Sequence, residues 1–284
     1  MRKMVMTPLF AAVALTIGFL GLLPDARAYV PPAGFILKNV AAQHGNVSGA
    51  RIRSSLVLFK SEKSDDSETT EAQFKVIHVF HSESKKMRST LLDETGREVY
   101  RFERTLSPSS LSLNVPAQMV GAILLDSHPR FLTQVLRKEG IEISEGSGST
   151  SEQVFLARWN KAIAWVFGER GDDSVAQLWI EKDTFLPLRW RGETDIQFEN
   201  YQSQKDYFYP RVIRGFVRAN GKTALEDRKP VFKESLIELK LNPAELSKVS
   251  NSGDRSLSET GLTDFGNSLS PGLKARIQLY FEAK

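Results

Sequence analysis

The feature that most limits what this chain can fold into is a period of two that recurs along most of its length. Between Phe185 and Tyr201, Leu186, Leu188 and Trp190 alternate with Pro187, Arg189 and Arg191; past Gly192 the alternation resumes through Ile196 and Phe198. Residues two apart lie on one side of a strand, so the segment reads as two paired strands with a turn at Gly192. Leu186, Leu188 and Trp190 are too bulky for a surface and are expected to face the interior, with Phe198 as cross-strand neighbour. Arg189 and Arg191 are then expected on an outer, solvated face.

The same period appears near the start, where Ile52, Ser54, Leu56 and Leu58 share one face and Arg51, Arg53, Ser55, Val57 and Phe59 the other. It returns over Ala72–His81, Met87–Leu92, Glu98–Leu106, Val154–Trp159, Ala162–Gly168, Val175–Lys182, Tyr207–Arg218 and Phe232–Leu241. Turn residues at Asp93–Gly96, Trp159–Lys161, Gly171–Asp173, Gly192 and Asn220–Gly221 separate most of these runs. The result is about eleven strands with no alternation of strand and helix, which implies an antiparallel barrel, half barrel or sandwich.

Two stretches break the pattern with helical spacing. Phe35, Leu37, Val40 and Ala41 predict a short amphipathic helix within Ala33–His44. From Pro116 to Gly140 the composition is helical, with Phe131, Leu132, Val135 and Leu136 at helical intervals before Arg137, Lys138 and Gly140, so a helical insertion is expected there. The polar run Lys60–Thr70 reads as a long hairpin loop and Glu145–Ser149 as a linker. The tail from residue 243 to 284 is polar and expected to be partly disordered, with a terminal helix over Leu273–Phe281 docking back on the body.

Arg2 and Lys3, an apolar run from Leu9 to Leu23 and the small-x-small ending Ala26–Ala28 read as a secretory signal, with cleavage before Tyr29. No cysteine occurs in the 284 residues, so disulfides, a thiol nucleophile and an N-terminal lipid anchor are excluded. Arg2, Lys3 and Arg27 against Asp25 account for half of the net charge of +4, and the remaining charges are interspersed, so nucleic acid is not expected as a partner. His44, His78, His81 and His128 show no spacing suited to a metal: His78 and His81 are three apart in a strand and point to opposite sides. No Gly-x-Ser-x-Gly elbow or phosphate-cradling loop is present, and Asp65–Asp66 and Asp172–Asp173 fall in turns. A non-enzymatic protein without cofactors is therefore expected.

All four tryptophans, Trp159, Trp165, Trp179 and Trp190, fall in the second β region beside Phe155, Phe167, Phe185, Phe198, Phe208 and Phe216, and several strands there are apolar on both faces. An antiparallel sheet covered on one side only would carry polar residues on the other. A sheet wrapped round a helix or an apolar pocket accounts for the excess.

The stretches Phe35–Ala41 leading into Val47–Arg53, Asp183–Arg189, Ile196–Tyr201 and Tyr209–Ile213, in that order round a mid-chain helical insertion, resemble the periplasmic lipoprotein-carrier superfamily, the outer-membrane lipoprotein-sorting proteins of the Lol type. The resemblance spans residues 33 to 242. It implies a mainly β fold, an antiparallel, strongly curved sheet forming an open half barrel with a helical lid, whose apolar cavity takes up acyl chains or lipoproteins. By it, residues 1–28 are a signal peptide, 29–242 the half-barrel domain and 243–284 a tail without counterpart. Trp165, Phe167, Trp179, Leu186, Leu188, Trp190 and Phe198 are then expected to line the core or cavity. Phe35 and Leu37 belong to the lid, and Arg51 or Arg53 would hold it shut. The expected protein is a monomeric periplasmic carrier passing its cargo between inner- and outer-membrane proteins. The alternatives are a non-catalytic envelope adaptor or stress-sensing protein of the same fold, which would use the tail to contact its partner, and an exported hydrolase.

Overall fold

The computed structural model describes residues 30–44, 47–60, 70–125, 128–143, 154–171, 175–217, 229–242 and 261–282. The alternating runs become strands β1 (Gly49–Phe59), β2 (Thr70–His81), β3 (Lys86–Leu92), β4 (Glu98–Thr105), β5 (Val154–Trp159), β6 (Ala162–Phe167), β7 (Gln177–Glu181), β8 (Pro187–Arg191), β9 (Thr194–Gln204), β10 (Tyr207–Val217) and β11 (Phe232–Leu241). A two-residue β12 (Gly261–Leu262) completes them. The expected signal peptide, most of the Lys60–Thr70 loop, the 145–149 linker and residues 243–260 lie outside the described residues.

All twelve strands belong to one antiparallel, curved, unclosed sheet in the order β12-β4-β3-β2-β1-β11-β10-β9-β8-β7-β6-β5. Two meanders, β1 to β4 and β5 to β11, meet where β1 pairs with β11, Ala50 opposite Leu241 and Leu58 opposite Phe232. The first and last long strands of the chain thus close the middle of the sheet, and its two ends stay apart. The helical insertion is the excursion between the meanders. The fold is mainly β with helices at the N-terminus and mid-chain, as the alternation and its two interruptions imply.

The helices follow from their apolar spacing. α1 (Ala33–Ala42) buries Ile36, Leu37, Val40 and Ala41, one stripe of the helix. A short α2 (Pro116–Met119) runs into a π-helical turn, Val120–Leu125, in which every side chain is buried. α3 (Pro129–Lys138) starts on a proline that needs no N–H there, buries Phe131, Leu132, Val135 and Leu136, and ends in Arg137 and Lys138 at the negative end of its dipole. Gly140, at φ +85°, supplies the left-handed residue that stops it.

The C-terminal region goes beyond the expected tail. β12 pairs with β4, Leu262 opposite Tyr100, and is followed by α4 (Asp264–Asn267) and α5 (Pro271–Phe281). Ser270 caps α5 by accepting from the Leu273 N–H at 3.4 Å, and Ile277, Tyr280 and Phe281 are buried. Residues 261–282 are therefore part of the same sheet and core as the described residues before them, since β12 joins β4 and α5 buries Ile277, Tyr280 and Phe281.

Candidate functional site

Which face of the sheet is the inside follows from what the helices touch. Tyr207 donates its hydroxyl to the Leu124 carbonyl in the π-helical turn. Trp190 Nε1 donates to Asn114 Oδ1 at 3.2 Å, and Tyr280 of α5 donates to Glu234 Oε2 at 2.5 Å. The ring of Phe281 stacks on Tyr100 at 4.6 Å. By strand register these four sheet residues share one face, so these contacts all fall on one side of the curved sheet, taken as its concave side.

That side carries a continuous row across seven strands. Val154 opposes Phe167, Phe167 opposes Leu178, Leu178 opposes Trp190 and Trp190 opposes Ile196. Ile196 opposes Gly215, and Gly215 opposes Phe232. The glycine is required here: a Cβ on Gly215 would come within 1.8 Å of the Phe232 ring. At the hairpin tip, a Cβ on Gly192 would lie 2.0 Å from Asn114 Oδ1, which also accepts from the Glu193 N–H at 2.8 Å. The interior loop is thereby pinned to the Trp190 hairpin.

Of the expected lining residues, Trp165, Phe167, Leu186, Trp190 and Phe198 are buried, and Trp165 pairs with Ile180 two residues along from the row on the same face. Leu188 is half-buried beside a bulge, since Trp179 pairs with Arg189 but Ile180 with Pro187. Trp179 needs correcting. As the cross-strand partner of Arg189 it lies on the outer face, half-buried, and does not line the interior.

Arg189 is corrected too. It lies opposite Trp190 as the alternation requires, but it is only 3% exposed. Its Nε donates to Asp195 Oδ1 at 2.7 Å and its Nη2 to Oδ2, a bidentate pair with a carboxylate that is 1% exposed. The guanidinium lies 4.2 Å from the centroid of the Trp159 ring and 5.8 Å from that of Trp179. Aromatic side chains on the outer face exclude water from it, and the planar guanidinium tolerates this because its donors meet a matching carboxylate.

Arg51 and Arg53 also fall on the outer face, opposite Lys240 and Glu238 on β11, and Arg53 Nη2 is 3.7 Å from Glu238. The alternation of β1 turns them to the face opposite Ile52, Ser54 and Leu56, away from the side that α5 covers, so that face is not where the resemblance placed the lid contact. Leu37 is fully buried in α1, while Phe35 is 52% exposed and its ring meets that of Phe185 edge-on, with centroids 6.1 Å apart.

The interior also holds polar groups that motif reading missed. Glu234, in the step Phe198, Ile213, Glu234, Leu56 across the sheet, is 2% exposed. His78 Nε2 lies 3.6 Å from Glu234 Oε1, and His78 Nδ1 is 2.7 Å from Ser89 Oγ. Burial pushes the Glu234 carboxyl up, but His78 beside it, the Tyr280 hydroxyl and nearby Ser54 outweigh this and hold the group below the usual carboxylate range. Burial and the Glu234 charge push the Tyr209 and Tyr280 phenols well above their ordinary value, so both remain donors. Ser54 Oγ, His78 Nε2, Tyr209 Oη and Glu234 Oε1 are buried without a hydrogen-bond partner among the described residues.

The arrangement Ser89, His78, Glu234 has the residue types of a hydrolytic relay. The carboxylate, however, is beyond hydrogen-bond distance of the ring, and all three side chains are buried beneath α5. A separate histidine, His44, is buried at the end of α1, its Nδ1 3.3 Å from the Phe208 carbonyl. Burial lowers its pKa to about 4, partly countered by that carbonyl. Among the described residues no group of three or more acidic or histidine side chains could hold a metal ion.

No family description and no curated protein matches the sequence. Among solved structures the chain is similar to a LolA superfamily protein from Nitrosomonas europaea, with 10% identity, a TM-score of 0.39, and coverage of 75% of this chain and 95% of that one. It is also similar to a DUF1329 family protein from Desulfovibrio piger ATCC 29098, with 10% identity, a TM-score of 0.34, and coverage of 75% and 93%. These are likenesses of outline that transfer no side-chain role.

Proposed function

We propose that this protein is a carrier that takes up acyl chains, of a lipid or a lipoprotein, on the concave face of its half barrel without a chemical step. The observation that carries the reading is the row Phe167, Leu178, Trp190, Ile196, with Trp165 and Phe198 beside it. These large apolar groups face helices and not a second sheet. Each methylene moved from water onto such a wall is worth about 0.8 kcal/mol, so a chain of ordinary length gains enough to offset its ordering.

The cover is suited to opening. It is tied to the sheet through side chains such as Tyr207, Trp190 and Tyr280, while the strands are hydrogen-bonded to one another. Moving a helix exposes the wall and leaves the ladder intact. The expected signal peptide supports a periplasmic location, with membrane proteins on either side as hand-over partners.

The test is to purify the protein from the envelope fraction of a bacterial host, identify co-purifying lipid by mass spectrometry, and titrate delipidated protein with a fluorescent fatty-acid probe. Bound acyl lipid, and probe binding weakened by Trp190→Ser, support the carrier. Protein that carries no lipid and binds no probe ends it.

A further inference from the structure

A carboxylate in the middle of an apolar wall is costly to hold, on the order of several kcal/mol for an ion taken out of water. Among the described residues Glu234 meets the Tyr280 hydroxyl at 2.5 Å and His78 Nε2 at 3.6 Å, the latter beyond hydrogen-bond distance. Its Oε1, with Ser54 Oγ, His78 Nε2 and Tyr209 Oη, makes no hydrogen bond among the described residues. Buried polar atoms are almost always hydrogen-bonded, so a carboxylate and a histidine that face each other at ion-pair distance alone, with two hydroxyls that also lack a hydrogen bond, mark a place built for one more polar group. That group must donate to a carboxylate. A hydroxyl can do so while accepting from Tyr209 or Ser54, and an ammonium offers three donors, whereas a second carboxylate meets the charge of Glu234.

One such donor is already in place, and it comes from the C-terminal helix. Tyr280 packs edge-on against Phe232 at 5.3 Å, and Phe281 stacks on Tyr100. Gln118 Nε2 donates to the Phe281 carbonyl at 3.1 Å, and Arg276 pairs with Glu71. α5 adds no strand to the sheet, and its attachments are all to side chains or to single carbonyls. It covers the wall as a ligand would, with apolar rings on the aromatic surface and one hydroxyl on the carboxylate.

We propose that the cluster beneath α5 is a head-group subsite for an acyl chain bearing a hydroxyl or amine, occupied in this state by the chain's own C-terminal helix, with Tyr280 in place of the ligand's donor. The proposal rests on the acyl-carrier reading and adds to it the chemistry of the head group and a built-in competitor.

The native chain has no cysteine, so a pair introduced at facing positions of α2 and α5, which are in contact, forms the sole disulfide of the full-length protein. Binding of dodecylamine, 1-dodecanol and dodecanoate is then measured by calorimetry on the same preparation, oxidised and reduced. The reduced protein is expected to bind the amine and the alcohol about ten-fold or more tightly than the carboxylate, since one hydrogen bond to a buried charge is at stake. Oxidation, which locks α5 down, is expected to abolish binding, and Glu234→Gln to remove the preference for the amine. Equal binding by the two redox forms, or tightest binding of dodecanoate, overturns the proposal and leaves the acyl-carrier reading standing. No binding of any of the three by the reduced form overturns both. If Glu234→Gln does not fold, the redox comparison with Glu234 in place still decides.

Discussion

Two buried ionic groups lie on opposite faces of the same sheet, and they are built differently. On the outer face Arg189 and Asp195, six residues apart across one hairpin, satisfy each other through two hydrogen bonds under a cover of Trp159 and Trp179. On the inner face Glu234 draws His78 from β2 and Tyr280 from α5, partners far apart in sequence, and leaves an oxygen without a hydrogen bond among the described residues. The outer pair is closed in the sense that two guanidinium donors meet both carboxylate oxygens, a geometry that holds structure together. The inner group keeps spare capacity, which is what a binding position needs.

The largest expected effect lies on the closed side. Arg189→Ala takes the bidentate guanidinium partner away from the buried Asp195 carboxylate and should cost about 3–5 kcal/mol in urea unfolding, whereas Arg189→Met with Asp195→Leu should recover most of that. Equal losses in the single and double variants would break the contrast, since the pair would then not act as a unit.

Acid should come next. His44 is neutral in the fold with its pKa lowered to about 4, so the unfolded chain takes up its proton first, near pH 6.5. Stability is full above pH 6.5 and falls by about 3 kcal/mol as the pH drops to about 4, a loss that His44→Leu should flatten. Glu234, held below the usual carboxylate range, adds stability above that range and gives it up as the pH falls through its lowered pKa, so acid weakens the interior twice. A stability that is level from pH 7 to pH 4 contradicts the first, and one that does not fall further below the usual carboxylate range contradicts the second.

Tyr280→Phe keeps the ring on Phe232 but removes the donor to Glu234, with an expected loss of about 1.5–3 kcal/mol and faster hydrogen exchange confined to α5. Exchange quickened across the whole sheet would mean that the inner group is as structural as the outer one. The smallest effect is expected at Arg53→Ala, within about 0.5 kcal/mol, because its pair with Glu238 is exposed and 3.7 Å long.

Much of the inner cluster was legible as polar residues in the apolar phase of a strand. Ser54 shares its phase with Ile52 and Leu56, His78 with Val76 and Phe80, Ser89 with Met87 and Leu91, and Glu234 with Phe232. Each alone reads as an ordinary exception. Only the pairing of β1 with β11 brings Ser54 and Glu234 to neighbouring strands, and that contact spans most of the chain. Trp179 and Arg189 illustrate the converse. Alternation placed Arg189 correctly opposite Trp190, but the outer aromatic cover that buries it comes from β5 and β7, which no local pattern ties to β8.

The sequence by itself determined the strands, the two helical interruptions and which side chains alternate together, because period and turn chemistry act over a few residues. It did not determine which alternating set faces the helices at β1, so that Arg51 and Arg53 turn out to be outward, nor that Gly261–Leu262 add a twelfth strand beside β4 ahead of the expected terminal helix. Those were decided by tertiary structure, because burial is a property of what packs on a face. The closing strands β1 and β11, and the rings of Tyr280 and Phe281, find their partners only once the sheet has curved round them.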